Sequence, residues 1–142
     1  MWRVQHVVDR AVKALVESDF ALYRQGKDTP YVLIHDTHTE VLDTETKLRS
    51  YFDKKSKLLA QNRDQKLQRI VQQEQAIGAS LIQATVLTHV EQNGVLVVDP
   101  FKSMITYRLV GDNWRAMMVV SPVSSRWSAY AEAHSLEGEM QW

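Results

Sequence analysis

A chain of 142 residues fits one domain and can bury a working core without covalent staples. It contains no cysteine, which excludes disulfides, thiolate zinc centres and a cysteine nucleophile and suits a reducing compartment. Its 17 basic residues balance 17 acidic ones, so the basic excess that nucleic-acid binding needs is missing.

Residues 1–16 are apolar on one face only and are interrupted by Arg3, Asp9, Arg10 and Lys13. That pattern is neither a signal peptide nor a membrane span, so the expected location is the cytoplasm, with no membrane and no nucleic acid as partner. Val4, Val7, Val8, Ala11, Val12 and Leu15 form one helical stripe. Ser18-Asp19 caps a short second helix, Phe20 to Gln25, which Gly26 ends. Pro30 closes the helical region, and Tyr31 to His35 reads as a strand turning through Asp36-Thr37-His38 into Thr39 to Leu42.

Asp43 or Thr44 caps a third helix with a stripe of Leu48, Tyr51, Phe52, Leu58 and Leu59; Lys55 interrupts it and is expected to bend outward along its methylene stem. By period alone, residues 64–77 fit a helix continued through Leu67, Ile70, Val71 and Glu74 as well as they fit a strand from Lys66. Ile82 to Val90 alternates as a strand with one dry face, and Asn93-Gly94 marks a tight hairpin. The return strand is expected over Val95 to Leu109, bent near Pro100, with a second hairpin at Gly111-Asp112-Asn113 leading into Trp114 to Val120. Pro122 ends that strand. Within the C-terminal tail, 122–142, the stretch Ser124 to Trp142 reads as a short helix presenting Trp127, Tyr130, Ala131 and His134.

Strand parity puts Ile105, Tyr107, Leu109, Trp114, Ala116, Met118 and Val120 on the inner face. Leu87, Met104, Met117 and Val119 then make the outer face apolar too, the mark of an interface, and pairing of two copies through it is expected, with the C-terminal tail as the rival cover.

The order of elements over residues 4–121, with "SDFALYRQG" (Ser18 to Gly26), "TEVLDTETKLRSYF" (Thr39 to Phe52) and "SMITYRLVGDNWRA" (Ser103 to Ala116), resembles the nuclear transport factor two-like superfamily, which includes SnoaL-like and ketosteroid-isomerase-like proteins. The resemblance implies an α+β cone: three N-terminal helices packed on a strongly curved, mainly antiparallel sheet, in a single domain spanning 1–142. It also implies three long strands after the long helix, which assigns Lys66 to Ile77 as a strand. Superfamily enzymes set a Tyr, Asp or His inside the cone, but none of their catalytic sets maps onto this chain residue by residue.

Candidate chemistry is sparse. His35 and His38 are three apart, as zinc ligands can be, but no further ligand is evident beside them; a polar turn explains them, and no metal or other cofactor is expected. His35 as general base, oriented by Asp99, with Tyr107 as an oxyanion donor, is the catalytic set that could form in a cone. Against it, Asp99-Pro100 reads as a turn starter, and a buried Tyr107 is equally satisfied by a neighbouring strand. Tyr31, Thr88 and Trp114 are the ligand-contact candidates, with Trp114 also reading as core. His89 is expected at the back of the sheet, and His6 and His134 at the surface. The scattered glycines form no phosphate loop or dinucleotide fingerprint. The leading expectation is a dimeric cone-fold protein holding a small apolar ligand. The alternatives are an isomerase, cyclase or dehydratase using polar groups in the cone, and a protein-binding adaptor.

Overall fold

The computed structural model describes residues 1–62 and 64–122, so the expected tail helix with Trp127, Tyr130, Ala131 and His134 lies outside the described residues. Helices α1 (Gln5–Glu17) and α2 (Phe20–Gln25) precede a hairpin of β1 (Lys27–His35) and β2 (Thr39–Leu42). Helix α3 (Glu45–Gln61) leads to β3 (Gln65–Ile77), β4 (Leu81–Gln92), the short β5 (Val95–Leu96), β6 (Phe101–Val110) and β7 (Asn113–Ser121). The strands form one sheet in the order β2-β1-β7-β6-β4-β3, with β5 on β4. Every pairing is antiparallel except β1 with β7. Register irregularities in β1, β3 and between β6 and β7 bend and twist the sheet, and its concave side receives the helices.

Local chemistry sets the helix ends. Asp19 accepts from the Leu22 amide at 3.1 Å, and Thr44, not Asp43, caps α3 by accepting from the Lys47 amide at 3.2 Å. The stripe of α1 divides between two tasks. Val4, Val7 and Val8 are fully buried in the core with Leu48 and Phe52 of α3 and with Ile82, Ala84 and Val86 of β4. Ala11, Val12 and Leu15, one to two turns later, face a cavity. Ser56 Oγ donates to the Leu15 carbonyl at 2.9 Å and lies 2.6 Å from Ser18 Oγ, tying α3 to the end of α1. The glutamine-rich middle is extended, pairing along β4 from Gln65↔Gln92 to Ile77↔Leu81. Asn93 and Gly94 both take positive φ, 55° and 80°, as a two-residue hairpin turn requires.

Four expectations change. Strand β1 begins at Lys27 rather than Tyr31, because the Ala116 amide donates to the Gly26 carbonyl at 2.8 Å and opens the parallel pairing with β7 before the proline. Pro30 falls in the irregular stretch between Lys27 and Val32, where the missing amide proton breaks no ladder. The long return strand is split: β5 stops at Leu96, and pairing resumes only at Phe101, past Pro100. In β7 the alternation slips. Thr106 pairs with Met118 while Tyr107 pairs with Ala116, leaving Met117 as a bulge. Beyond it the faces exchange, so Val119 packs against the core and lines the cavity, while Met118 and Val120 move to the back. Finally, Lys55 lines the cavity instead of bending outward, with its ammonium 5.5 Å from the Tyr51 ring centre.

Candidate functional site

The concave side of the sheet and the second half of α1 enclose a cavity of about 120 Å³. Strand parity supplies one wall, since Tyr31, Leu33 and His35 of β1 point the same way, and Lys27 joins them. Tyr23 of α2, Tyr51 and Lys55 of α3, Arg69 of β3, Thr88 of β4, Ser103 of β6 and Ser121 of β7 supply the polar part of the remainder. Phe101, Leu67 and Val119 add apolar surface. Among the described lining residues there are four basic side chains (Lys27, Lys55, Arg69, His35) and no carboxylate.

Lys27 is the centre of this arrangement. It is 7% exposed, and among the described residues it forms no salt bridge. Its ammonium lies 4.7 Å from the Tyr23 ring centre and 5.0 Å from that of Tyr31. Burial, and secondarily the Arg69 guanidinium, pull its pKa down from 10.5 to about 7. A shift of that size disfavours the charged form by about 5 kcal/mol, and two desolvated ring faces return about 4 kcal/mol of it. An ammonium so placed lacks the counter-charge that would make burial favourable.

The neighbours hold this geometry. Arg24 donates to the Lys27 carbonyl at 2.7 Å and pairs with Glu45 at 3.0 Å, which fixes the start of β1 against α3. Arg69 Nε donates to Thr88 Oγ1 at 3.2 Å, keeping the guanidinium along the sheet wall. Burial pushes the Tyr23, Tyr31 and Tyr51 hydroxyls above the ordinary phenol range, so all three remain protonated donors at neutral pH.

The residues singled out from sequence separate. Tyr31, Thr88 and His35 line the cavity. Tyr107 is buried among core side chains and is not part of the lining; Trp114 packs half-buried against the same core. Asp99 is exposed in the loop before β6 and is not part of the lining. Of His35, Asp99 and Tyr107, only His35 lines the cavity. His89 falls on the opposite strand face from buried Thr88 and Val90, and His6 is exposed. Lys27 and Arg69 escaped the sequence reading because nothing local distinguishes a lysine after a helix-ending glycine from a solvated one. Its even spacing from Tyr31, Leu33 and His35 was no signal, because the register is irregular between Lys27 and Val32.

Similarity to known proteins is structural. No family model matches the chain, and no curated protein matches it significantly. A protein of unknown function from Shewanella oneidensis, described as NTF-2 like, superposes with a TM-score of 0.63 at 12% identity, covering 84% of this chain and 95% of its own. A candidate ketosteroid isomerase from Shewanella frigidimarina gives 0.59 at 16% identity over 81% and 90% of the two chains. A domain of unknown function from Nostoc punctiforme, described as having a cystatin-like fold, gives 0.64 at 9% identity over 95% and 86%. With three helices on the concave side of one bent, mostly antiparallel sheet, the chain has the cone fold of the nuclear transport factor two-like superfamily.

Proposed function

We propose that this protein binds a small molecule with an apolar body and one anionic end, the anion lying against Lys27. The carrying observation is the buried lysine without a carboxylate in a cavity whose other charged groups are also basic. Such a site rewards an incoming negative charge, since the ligand supplies the missing counter-ion and restores the charged amine. Tyr23, Tyr31 and Tyr51 add hydroxyl donors, and Val12, Leu15, Leu33 and Phe101 accept the apolar body. An engineered apolar cavity of about 150 Å³ holds benzene, so a volume of about 120 Å³ sets the upper size of the apolar body near a single small ring or a short branched chain. Calorimetric titration with benzoate and with benzyl alcohol at pH 6 tests this reading. Benzoate is expected to bind at least tenfold tighter, and the preference to vanish in Lys27→Met. Equal binding of acid and alcohol by the unmodified protein would refute it.

A second reading concerns self-association. Register places Ile34 of β1 beside Val120 of β7, and Val120 beside Met104 of β6, as one apolar row across the back of the sheet. Met104 is 42% exposed there, and Leu87 lies on the same face two residues along β4 from Met104's partner Thr85. We take this row as the surface through which two copies pair, with Val119 no longer part of it. A cytoplasmic location belongs to the same proposal and is supported by the absence of cysteine; cell fractionation checks it. Among the described residues no helix is long and apolar enough to cross a membrane.

A further inference from the structure

The β1–β2 hairpin gathers a second cluster that shares only His35 with the cavity lining. The Ile34↔Thr39 pairing and the His35 amide bond to the His38 carbonyl, 2.8 Å, close the hairpin so that His38 stands opposite His35. Glu40 stands opposite Leu33 in the same ladder. Residues directly opposite one another share a sheet face, and Leu33 and His35 are on the cavity face. All three side chains therefore converge on one side, at the end of the cavity that His35 lines.

Their donor atoms are close. His35 Nε2 lies 3.1 Å from Glu40 Oε2, and His38 Nε2 lies 3.7 Å from the same oxygen. One ligand atom from each of the three falls within 4.8 Å of the others. Donors about 2.0–2.1 Å from a tetrahedral zinc ion sit roughly 3.3 Å apart, so only small side-chain adjustments separate this cluster from a coordination shell. Thr37 Oγ1 lies 3.1 Å from His38 Nδ1, a second contact of the kind that orients a ligating imidazole and leaves Nε2 for the metal. Two imidazoles and one carboxylate form a borderline donor set, suited to Zn²⁺ and unsuited to Mg²⁺ or Ca²⁺, which favour all-oxygen shells.

We propose that His35, His38 and Glu40 form a site for a divalent transition-metal ion of the zinc class beside the cavity that His35 lines. Three protein ligands leave a fourth position for water or for a polar atom of a cavity ligand. The site does not depend on the anion-binding reading, because Lys27 is no part of it.

Titration of the tag-free, full-length protein with ZnCl₂ by calorimetry tests the proposal, with Co²⁺ absorption spectra reporting donor geometry. One equivalent is expected to bind. His38→Ala and Glu40→Gln are each expected to weaken binding at least tenfold, while His6→Ala and His89→Ala leave it unchanged. Both hairpin substitutions fall on partly exposed side chains and spare the core, and circular dichroism with a melting curve confirms folding. Absence of stoichiometric zinc binding by the unmodified protein overturns the proposal. So does binding that survives both hairpin substitutions, or that is lost with His6 or His89. Benzoate affinity in Lys27→Met and zinc affinity in His38→Ala are separate measurements, so either reading can fail alone.

Discussion

The side chain of Gln5 completes the edge of β3: its Oε1 accepts from the Val71 amide at 2.8 Å, and its Nε2 donates to the Arg69 carbonyl at 3.1 Å. The amide group thus stands where a further strand would be. It blunts an open sheet edge and locks the first turn of α1 to the strand that carries Arg69. Glu74 adds to the same seam by accepting from the Val4 amide at 2.9 Å.

Truncating this contact removes two hydrogen bonds to main chain and leaves part-buried groups unpaired. Gln5→Ala is expected to destabilise the protein by about 2 kcal/mol at roughly 1 kcal/mol per bond. Urea denaturation measures it, and a loss below a few tenths would show that water replaces the glutamine.

The lowered pKa of Lys27 gives stability a definite pH dependence. Between about 7 and 10.5 the unfolded chain holds a proton at this lysine that the folded chain has lost, so stability rises with pH across that window. Lys27→Met removes the penalty. Its stability relative to the unmodified protein is expected to be greatest near pH 7 and below, and to shrink by about 2 kcal/mol between pH 7 and pH 9. Denaturation curves at three pH values suffice, and parallel behaviour of the two proteins would refute the assignment. Comparing variant with parent cancels the tyrosines and arginine around the site.

Anion binding should run the other way. A carboxylate beside Lys27 raises the amine pKa, so complex formation above pH 7 takes up close to one proton. Benzoate affinity is expected to fall as pH rises from 7 to 9. Calorimetry in buffers of different ionisation enthalpy counts the protons, and a count of zero at pH 8 would remove Lys27 from the binding step.

The back of the sheet makes a separate prediction. Met104→Lys places a charge in the row formed with Ile34 and Val120 on a side chain that is already 42% exposed. Light scattering is expected to report a dimer for the unmodified protein and a monomer for the variant. A monomeric parent would end the pairing proposal.

The Asn93-Gly94 turn offers a control on backbone conformation alone. Gly94 has φ of 80°, and nothing lies within 4 Å of where a Cβ would stand. Gly94→Ala therefore meets no clash, and its expected cost of about 1–2 kcal/mol is that of left-handed backbone. Thermal melting measures it.

Local pattern in the sequence determined most of the elements. The valine stripe of α1, the Asp19 and Gly26 ends of α2, the alternation of β4 and the Asn93-Gly94 turn depend on residues a few positions apart, where steric and hydrogen-bonding preferences act directly. Tertiary structure decided everything that hinges on parity across a long range. The bulge at Met117 exchanged Val119 with Met118 and Val120, since one unpaired residue reverses every later side chain. Parallel pairing with β7 drew Lys27 into the sheet and, with Tyr23 and Tyr31 closing over it, out of water. Hairpin register set Glu40 on the face of His35 and His38. A site depends on which side chains meet, and that is settled by strand partners far apart in the chain.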